Sequence, residues 1–423
     1  MWRTLFTVPH QIGGIPVLGI GWLLAVLLLA YAAYVFWNWK DPLRRRDALN
    51  QWPTVALMAV AIAWILPAIE LRNIRGEPLG LAVRGYGVFL MLSIAAALGL
   101  SLWRAQRRGY PLDQLYSLTL WLVIGGLVGA RLFYLIEYRD QFVGRTWTES
   151  LGAALNFTRG GMVVYGALLG GLLAGLVVTR HYKLPIRKTA DLIIPGVFLG
   201  VALGRIGCLL NGCCYGDRCE PSWWAAEFPP GSPPYEMQLS SGELVGLTLS
   251  SPTDSTGRRV EAVAKGSLAE QAGLAPGMVV QQMGPVLGPD DPRLPAEDSR
   301  NLGLALLADG REFRWSANEL PSRSLPLVPA QLIGAVTALV LVGWLVWMDR
   351  WHLRDGMLLG LGFAGYAVIR FGLEMVRNDE PGQFGTSWTI AQWVSVVTLL
   401  CCGIYFYGLY RSDPRQAGPN HPS

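Results

Sequence analysis

Apolar runs long enough to cross a bilayer recur along the whole chain, and nothing else in the sequence limits the fold as strongly. Roughly 18 or more apolar residues with few charges are enough to span a hydrocarbon core. By that measure the 423 residues hold nine candidates, at about 15–37, 53–69, 81–103, 114–136, 161–179, 189–210, 328–348, 356–376 and 387–409. Composition agrees, with 52% hydrophobic and only 15% charged residues, which excludes a plain soluble protein. The expected fold class is an all-α polytopic membrane protein with about nine transmembrane helices.

Charge placement gives a direction. KDPLRRRD follows the first run and RAQRRG the third; TRHYKLPIRK follows the fifth and MDRWHLRDG the seventh. The C-terminal stretch adds Arg411 and Arg415. Every second loop is basic, as cytoplasmic loops are under the positive-inside rule. The N-terminus is therefore expected outside and the C-terminus inside. The clustered arginines follow the first apolar run, whereas a signal peptide carries them before it, so a retained first helix is expected.

Residues from about 217 to 327 leave the membrane. PSWWAAEFPPGSPPYE, 221–236, reads as an interfacial loop, and the following residues take on the composition of a small soluble α+β domain. RRVEAVAKGSLAEQAGLAPGMVVQQMG predicts a strand, a short helix around LAEQAG, a turn and another strand. Asp309-Gly310 predicts a hairpin turn. The block resembles a PDZ domain, most closely over 258–284, with VGLTL (245–249) where such domains place their peptide-binding loop. A PDZ domain adds an extended peptide to its sheet edge; a structural cap over the membrane part is the alternative role.

Cys208, Cys213, Cys214 and Cys219 cluster after the sixth run, but C-x4-C-C-x4-C does not match the usual zinc spacings, so no metal is expected. Ionisable residues within spans mark function by default. Arg131 lies towards the outer end of the fourth run and Arg205 towards that of the sixth. Arg370, Glu374 and Arg377 share one face of the eighth. Arg84 and Tyr86 open the third, and Tyr165 sits just inside the fifth. Spans that alternate in direction thus place their polar residues on one side. Guanidinium groups recognise phosphate bidentately and keep their charge in a dry site, which points to a phospholipid headgroup. Snorkelling accounts for Arg84, and a mutual ion pair is the alternative for Arg370 and Glu374.

GRIGCLLNGCCYG (204–216), VRGYGVFLML, GARLFYLIEY, RGGMVVYGALLGG, PAQL and RFGLEMVR together resemble the prolipoprotein diacylglyceryl transferase family. The resemblance covers 80–236 and 322–410, a seven-helix core. Residues 1–79 are then two additional N-terminal helices, 237–321 a PDZ-like periplasmic insert, and 411–423 a cytoplasmic tail. It implies transfer of sn-1,2-diacylglyceryl from phosphatidylglycerol to the lipobox cysteine of a prolipoprotein, in the bacterial inner membrane, releasing glycerol 1-phosphate. No cofactor and no nucleic-acid partner are implied; a peptide or protein ligand is expected only for the insert. By family position Arg205 and Arg370 bind the phosphate and stabilise the leaving group, with Tyr165 as a hydrogen-bonding or positioning group beside them. Tyr86, Arg131, Asn211, Gly216, Glu374 and Arg377 are the implied substrate-binding or supporting residues, with helix capping an alternative for Asn211. Three departures stand out: Cys208 where some members carry asparagine, Tyr165 where some carry histidine, and Gly334 where P-x-Q-L-Y-E ends in glutamate.

Two readings from other classes compete. A PDZ-bearing intramembrane protease would need a motif such as H-E-x-x-H, which His10, His181, His352 and His421 do not supply. A non-catalytic scaffold displaying the insert would leave the intramembrane arginines without a task.

Overall fold

The computed structural model describes residues 4–73, 75–142, 152, 161–250, 257–287, 302–351, 353–377, 383 and 385–411. The predicted tail beyond Arg411, His352, and residues 288–301 of the predicted insert lie outside these. The chain divides into two compact units, residues 1–85 with 210–213 and 218–327, and residues 86–209 with 214–217 and 328–423. Among the described residues, nine helices are long and apolar enough to cross a membrane.

The first unit begins with strand rather than helix. β1 (Thr4–Pro9) is followed by the small ribbon β2 (Gln11–Ile12) and β3 (Ile15–Pro16). The first apolar run, predicted from about residue 15, becomes helical only at Ile20, as α1 (Ile20–Trp37). α2 (Pro42–Asn50) starts where Asp41 accepts the Leu43 amide at 3.0 Å and Pro42 occupies a position that needs no N–H. The second run is α3 (Trp52–Val60), a π-turn over Ala61–Ile65, and α4 (Leu66–Ile69), with Pro67 inside that last turn. β4 (Leu71–Arg72) and β5 (Pro78–Arg84) then complete a three-stranded sheet in the order β1-β5-β4. Arg84, expected in the first turns of the third span, instead ends β5 opposite Thr4.

The third to sixth spans are α5 (Gly85–Arg107), α6 (Leu112–Glu137), α7 (Val164–His181) and α8 (Ile186–Asn211). The insert follows. Its first element, α9 (Pro233–Ser241), starts inside the stretch expected to be loop, because prolines at the first helical turn cost no hydrogen bond. Five strands, β6 (Leu247–Leu249), β7 (Arg258–Val263), β8 (Val279–Leu287), β9 (Leu302–Ala308) and β10 (Arg311–Trp315), form a sheet in the order β10-β9-β8-β7-β6. The short α10 (Leu268–Gln271) is capped by the Ser267 hydroxyl, which accepts the Glu270 amide at 3.3 Å, while the Glu270 carboxylate accepts the Gly266 amide. Asp309 and Gly310, both with positive φ, make the predicted β9–β10 turn. Tyr235 and Leu239 of α9 pack with Leu247, Val260, Leu304, Leu306 and Leu320 in one buried core.

The last three spans are α11 (Ala330–Met348), α12 (Met357–Glu374) and α13 (Ile390–Arg411). Close approaches fix how the second unit's helices run. Gly125 and Gly129 of α6 face Gly170 and Gly166 of α7 so tightly that a Cβ on Gly129 would lie 2.3 Å from the Gly166 carbonyl oxygen. Small residues permit such backbone contact where lipid supplies no hydrophobic drive between helices. Ser101 and Ala97 of α5 meet Gly196 of α8, and Phe89 and Tyr86 meet Gly207, so that pair is also antiparallel. α8 and α12 run parallel: Asp191 reaches the start of α12, and Ile194 and Phe198 pack on Gly362.

Candidate functional site

These contacts decide which polar residues share an end. Leu118 of α6 and Leu192 of α8 belong to one buried cluster, and thirteen residues separate each from an arginine, Arg131 and Arg205. Leu358 of α12 packs with Ile194 of α8 in a neighbouring cluster, twelve residues before Arg370. At 1.5 Å per residue, all three arginines stand about 18–20 Å along their helices from the same level. Tyr86 and Tyr165, in the first turns of α5 and α7, lie at that end as well, because both helices run the opposite way.

Arg205 and the Arg370 turn meet across Gly334. A Cβ on Gly334 would sit 3.5 Å from Arg205 Cδ and Nε and equally far from Leu373 Cδ1. Gly334, where the P-x-Q-L-Y-E pattern would end in glutamate, is therefore the place where the Arg205 side chain passes α11. Arg205 is half-buried, and no carboxylate among the described residues pairs with it. Arg370 is different. Its Nη1 lies 3.0 Å from Glu374 Oε2, and Glu374 is only 2% exposed. The alternative of a mutual ion pair is thus realised one helical turn apart, as the i,i+4 spacing permits. Glu374 Oε1 makes no hydrogen bond among the described residues.

The remaining predicted site residues are distributed around these. Tyr86 is partly exposed, and its ring edge would lie 3.3 Å from a Cβ on Gly207, two residues beyond Arg205. Tyr165 is exposed beside Gly166, which packs on Gly129 and Phe133 of α6. Arg131 is buried beneath the segment entering α7, where Nη1 donates to the Gly161 carbonyl at 2.9 Å and the guanidinium lies 5.3 Å from the Tyr134 ring centre. Gly161 has φ +80°, and a Cβ there would strike both Tyr134 and Arg131, so glycine lets the chain fold over that arginine. Gly216 is a packing position: its amide donates to Val328 O at 2.8 Å, and a Cβ would lie 2.8 Å from Val328 and 3.0 Å from Val376 O. Asn211 is the last residue of α8, and Arg377 follows α12 with its amide donating to Glu374 O at 3.2 Å.

The opposite end holds a network that the sequence did not single out. Arg104 is 2% exposed; its Nη2 lies 2.9 Å from Asp349, and Nη1 donates to the Asp191 and Leu192 carbonyls, the former at 2.8 Å. Pro195, four residues after Asp191, has no N–H for that carbonyl, so the arginine supplies the missing donor. Asp191 accepts the Gly356 and Leu359 amides at 2.5 and 2.7 Å and caps α12. A proline inside an apolar run was the available signal; the identity of its partner was not.

Half-buried Arg205 and ion-paired Arg370, on spanning helices and at the same end of the bundle, make an arrangement suited to a lipid phosphate. The sequence profile described as prolipoprotein diacylglyceryl transferase matches residues 77–408. The chain belongs to the prolipoprotein diacylglyceryl transferase family. A phosphatidylglycerol–prolipoprotein diacylglyceryl transferase of Rhodopirellula baltica is 40% identical over 94% of this chain and 87% of its own length. An enzyme of the same description from Clostridium perfringens is 24% identical, covering 82% of this chain and 98% of its own. A third, from Acaryochloris marina, is 34% identical over 38% of this chain and 56% of its own. This transferase family member is a multi-pass membrane protein, as the nine apolar helices require.

Proposed function

We propose that the chain transfers the sn-1,2-diacylglyceryl group of phosphatidylglycerol to the lipobox cysteine of a prolipoprotein, at the end of the bundle where Arg205 meets the Arg370–Glu374 turn. Family membership and the names of the relatives support the reaction. The observation that carries the site is the half-buried Arg205 guanidinium, set against Gly334 with no carboxylate partner among the described residues.

The substrate thiol gives up its proton to water, and its sulfur forms a bond to the glyceryl carbon that bears the phosphate. The carbon–oxygen bond breaks, its electron pair stays on the phosphate oxygen, and glycerol 1-phosphate leaves. Arg205 neutralises the charge that grows on that oxygen. Arg370, held by Glu374, orients the phosphodiester, and Glu374 Oε1 accepts from a hydroxyl of the headgroup glycerol. A cysteine thiol with pKa near 8.5 ionises readily in the field of fixed cations, so Tyr165 positions the substrate and no strong base is needed. Tyr86 lines the same end, while Arg131, Gly216 and Arg377 brace it, and Asn211 keeps its alternative role of closing α8. Labelled phosphatidylglycerol and a lipobox peptide test the site: the Arg205→Ala protein should transfer almost nothing, and undiminished transfer would refute the assignment.

Basic loops in alternation support a bacterial inner-membrane orientation with the N-terminus and insert in the periplasm and the C-terminus in the cytoplasm. β6 is an edge strand, and beside it lies a cavity of about 380 Å³ lined by Leu244, Gly246, Leu247, Ser267 and Leu268. An open strand edge next to an apolar groove suits an extended peptide, so the insert recruits or filters protein substrates. Loss of transfer to full-length prolipoprotein, with transfer to a short peptide retained, is the result expected when the insert is removed.

A further inference from the structure

At the end of the bundle remote from Arg205, the ends of α5, α8, α11 and α12 enclose a cavity of about 590 Å³ that the transfer reaction does not use. Five cations line it, Arg104, Arg107, Arg108, Lys188 and Arg350, against three carboxylates. The carboxylates are engaged. Asp349 pairs with Arg104 and Arg108, Asp191 accepts two backbone amides, and Asp355 lies 3.6 Å from Lys188. Arg107 and Arg350 have no carboxylate partner among the described residues. Arg107 is held in place by stacking on Trp103, 3.9 Å from guanidinium carbon to ring centre. Trp103 and Val346, on the flanks of spanning helices, add apolar wall next to these charges. A soluble anion gains nothing from that wall, whereas a lipid places its phosphate on the arginines and the top of its acyl chains on the tryptophan.

We infer that this cavity binds the phosphate headgroup of an anionic phospholipid and ties together the ends of the four helices that carry Tyr86, Arg205, Gly334 and Arg370 at the other side. The site is separate from the one proposed for transfer and stands whether or not that assignment holds.

The test uses the full-length protein in phosphatidylcholine nanodiscs with a small proportion of phosphatidylserine bearing a diazirine at the top of one acyl chain. Irradiation and peptide mapping should place adducts on the segments containing Trp103 and Val346–Leu353. Labelling there should fall roughly tenfold in Arg107→Gln/Arg350→Gln and persist in Arg107→Lys/Arg350→Lys, since the phosphate responds to charge. Adducts unchanged in the glutamine variant, or equal labelling by the matching phosphatidylcholine probe, would overturn the inference. Suppression by millimolar inorganic phosphate would also overturn it, making the cavity a soluble-anion site.

Discussion

Two arginines that look equivalent in sequence are not equivalent in the fold. Arg370 carries its own counterion, Glu374, whereas Arg205 has none among the described residues and lies against a glycine. Loss of Arg205 should therefore remove more transition-state stabilisation than binding. Arg205→Ala is expected to lower the transfer rate by about 10²–10³, the range for removing one preorganised donor, with a smaller change in apparent KM for phosphatidylglycerol. Gly334 supplies an independent check. A methyl there meets Arg205 at 3.5 Å, an ordinary contact, so Gly334→Ala should keep most activity. Gly334→Leu displaces the guanidinium, and transfer should drop while the apparent melting temperature changes little. Of these residues the motif made Arg205 and Arg370 legible, and the i,i+4 spacing made the Glu374 pairing legible. The role of Gly334 was not, because only the packed structure shows what fills the room left by a missing side chain.

Helices and strands differ in how much of themselves the chain discloses. Hydropathy is a local property, so the spans could be read directly, and Asp309-Gly310 marked its hairpin for the same reason. β1 escaped notice because its partner, β5, lies some seventy residues away. Arg104 escaped because RAQRR looks uniformly basic, and tertiary packing alone separates a buried arginine from its exposed neighbours. Replacing Arg104 by Met leaves Asp349 short of a partner and the Asp191 carbonyl without its donor. Thermal unfolding in detergent should show a loss of about 1–3 kcal/mol, the cost of a buried acceptor left without its donor, since Arg108 still pairs with Asp349. On α6, Gly129→Val must force α6 and α7 apart, since even a Cβ lies 2.3 Å from Gly166 O. A destabilisation of at least 1–3 kcal/mol is expected, roughly the overpacking range, read in the same assay.

At the scale of the whole molecule, chemistry and recruitment fall to different parts of the chain in the proposed mechanism. The insert has a core of its own that includes Tyr235 and Leu320, so a cut that preserves the remainder must remove both. Deleting 233–320 with a short linker should leave transfer to a lipobox peptide within about twofold of the intact protein, because no residue assigned to phosphate chemistry lies there. A large loss with the peptide itself would show that the insert takes part in the reaction. The proposed mechanism has Arg205, with which no carboxylate among the described residues pairs, drive departure of the lipid phosphate. It is tested most directly by single-turnover transfer of labelled diacylglyceryl from phosphatidylglycerol to a lipobox peptide, comparing intact protein, Arg205→Ala and Arg350→Gln. Turnover should be lost only in Arg205→Ala; equal rates in all three would refute the role given to Arg205.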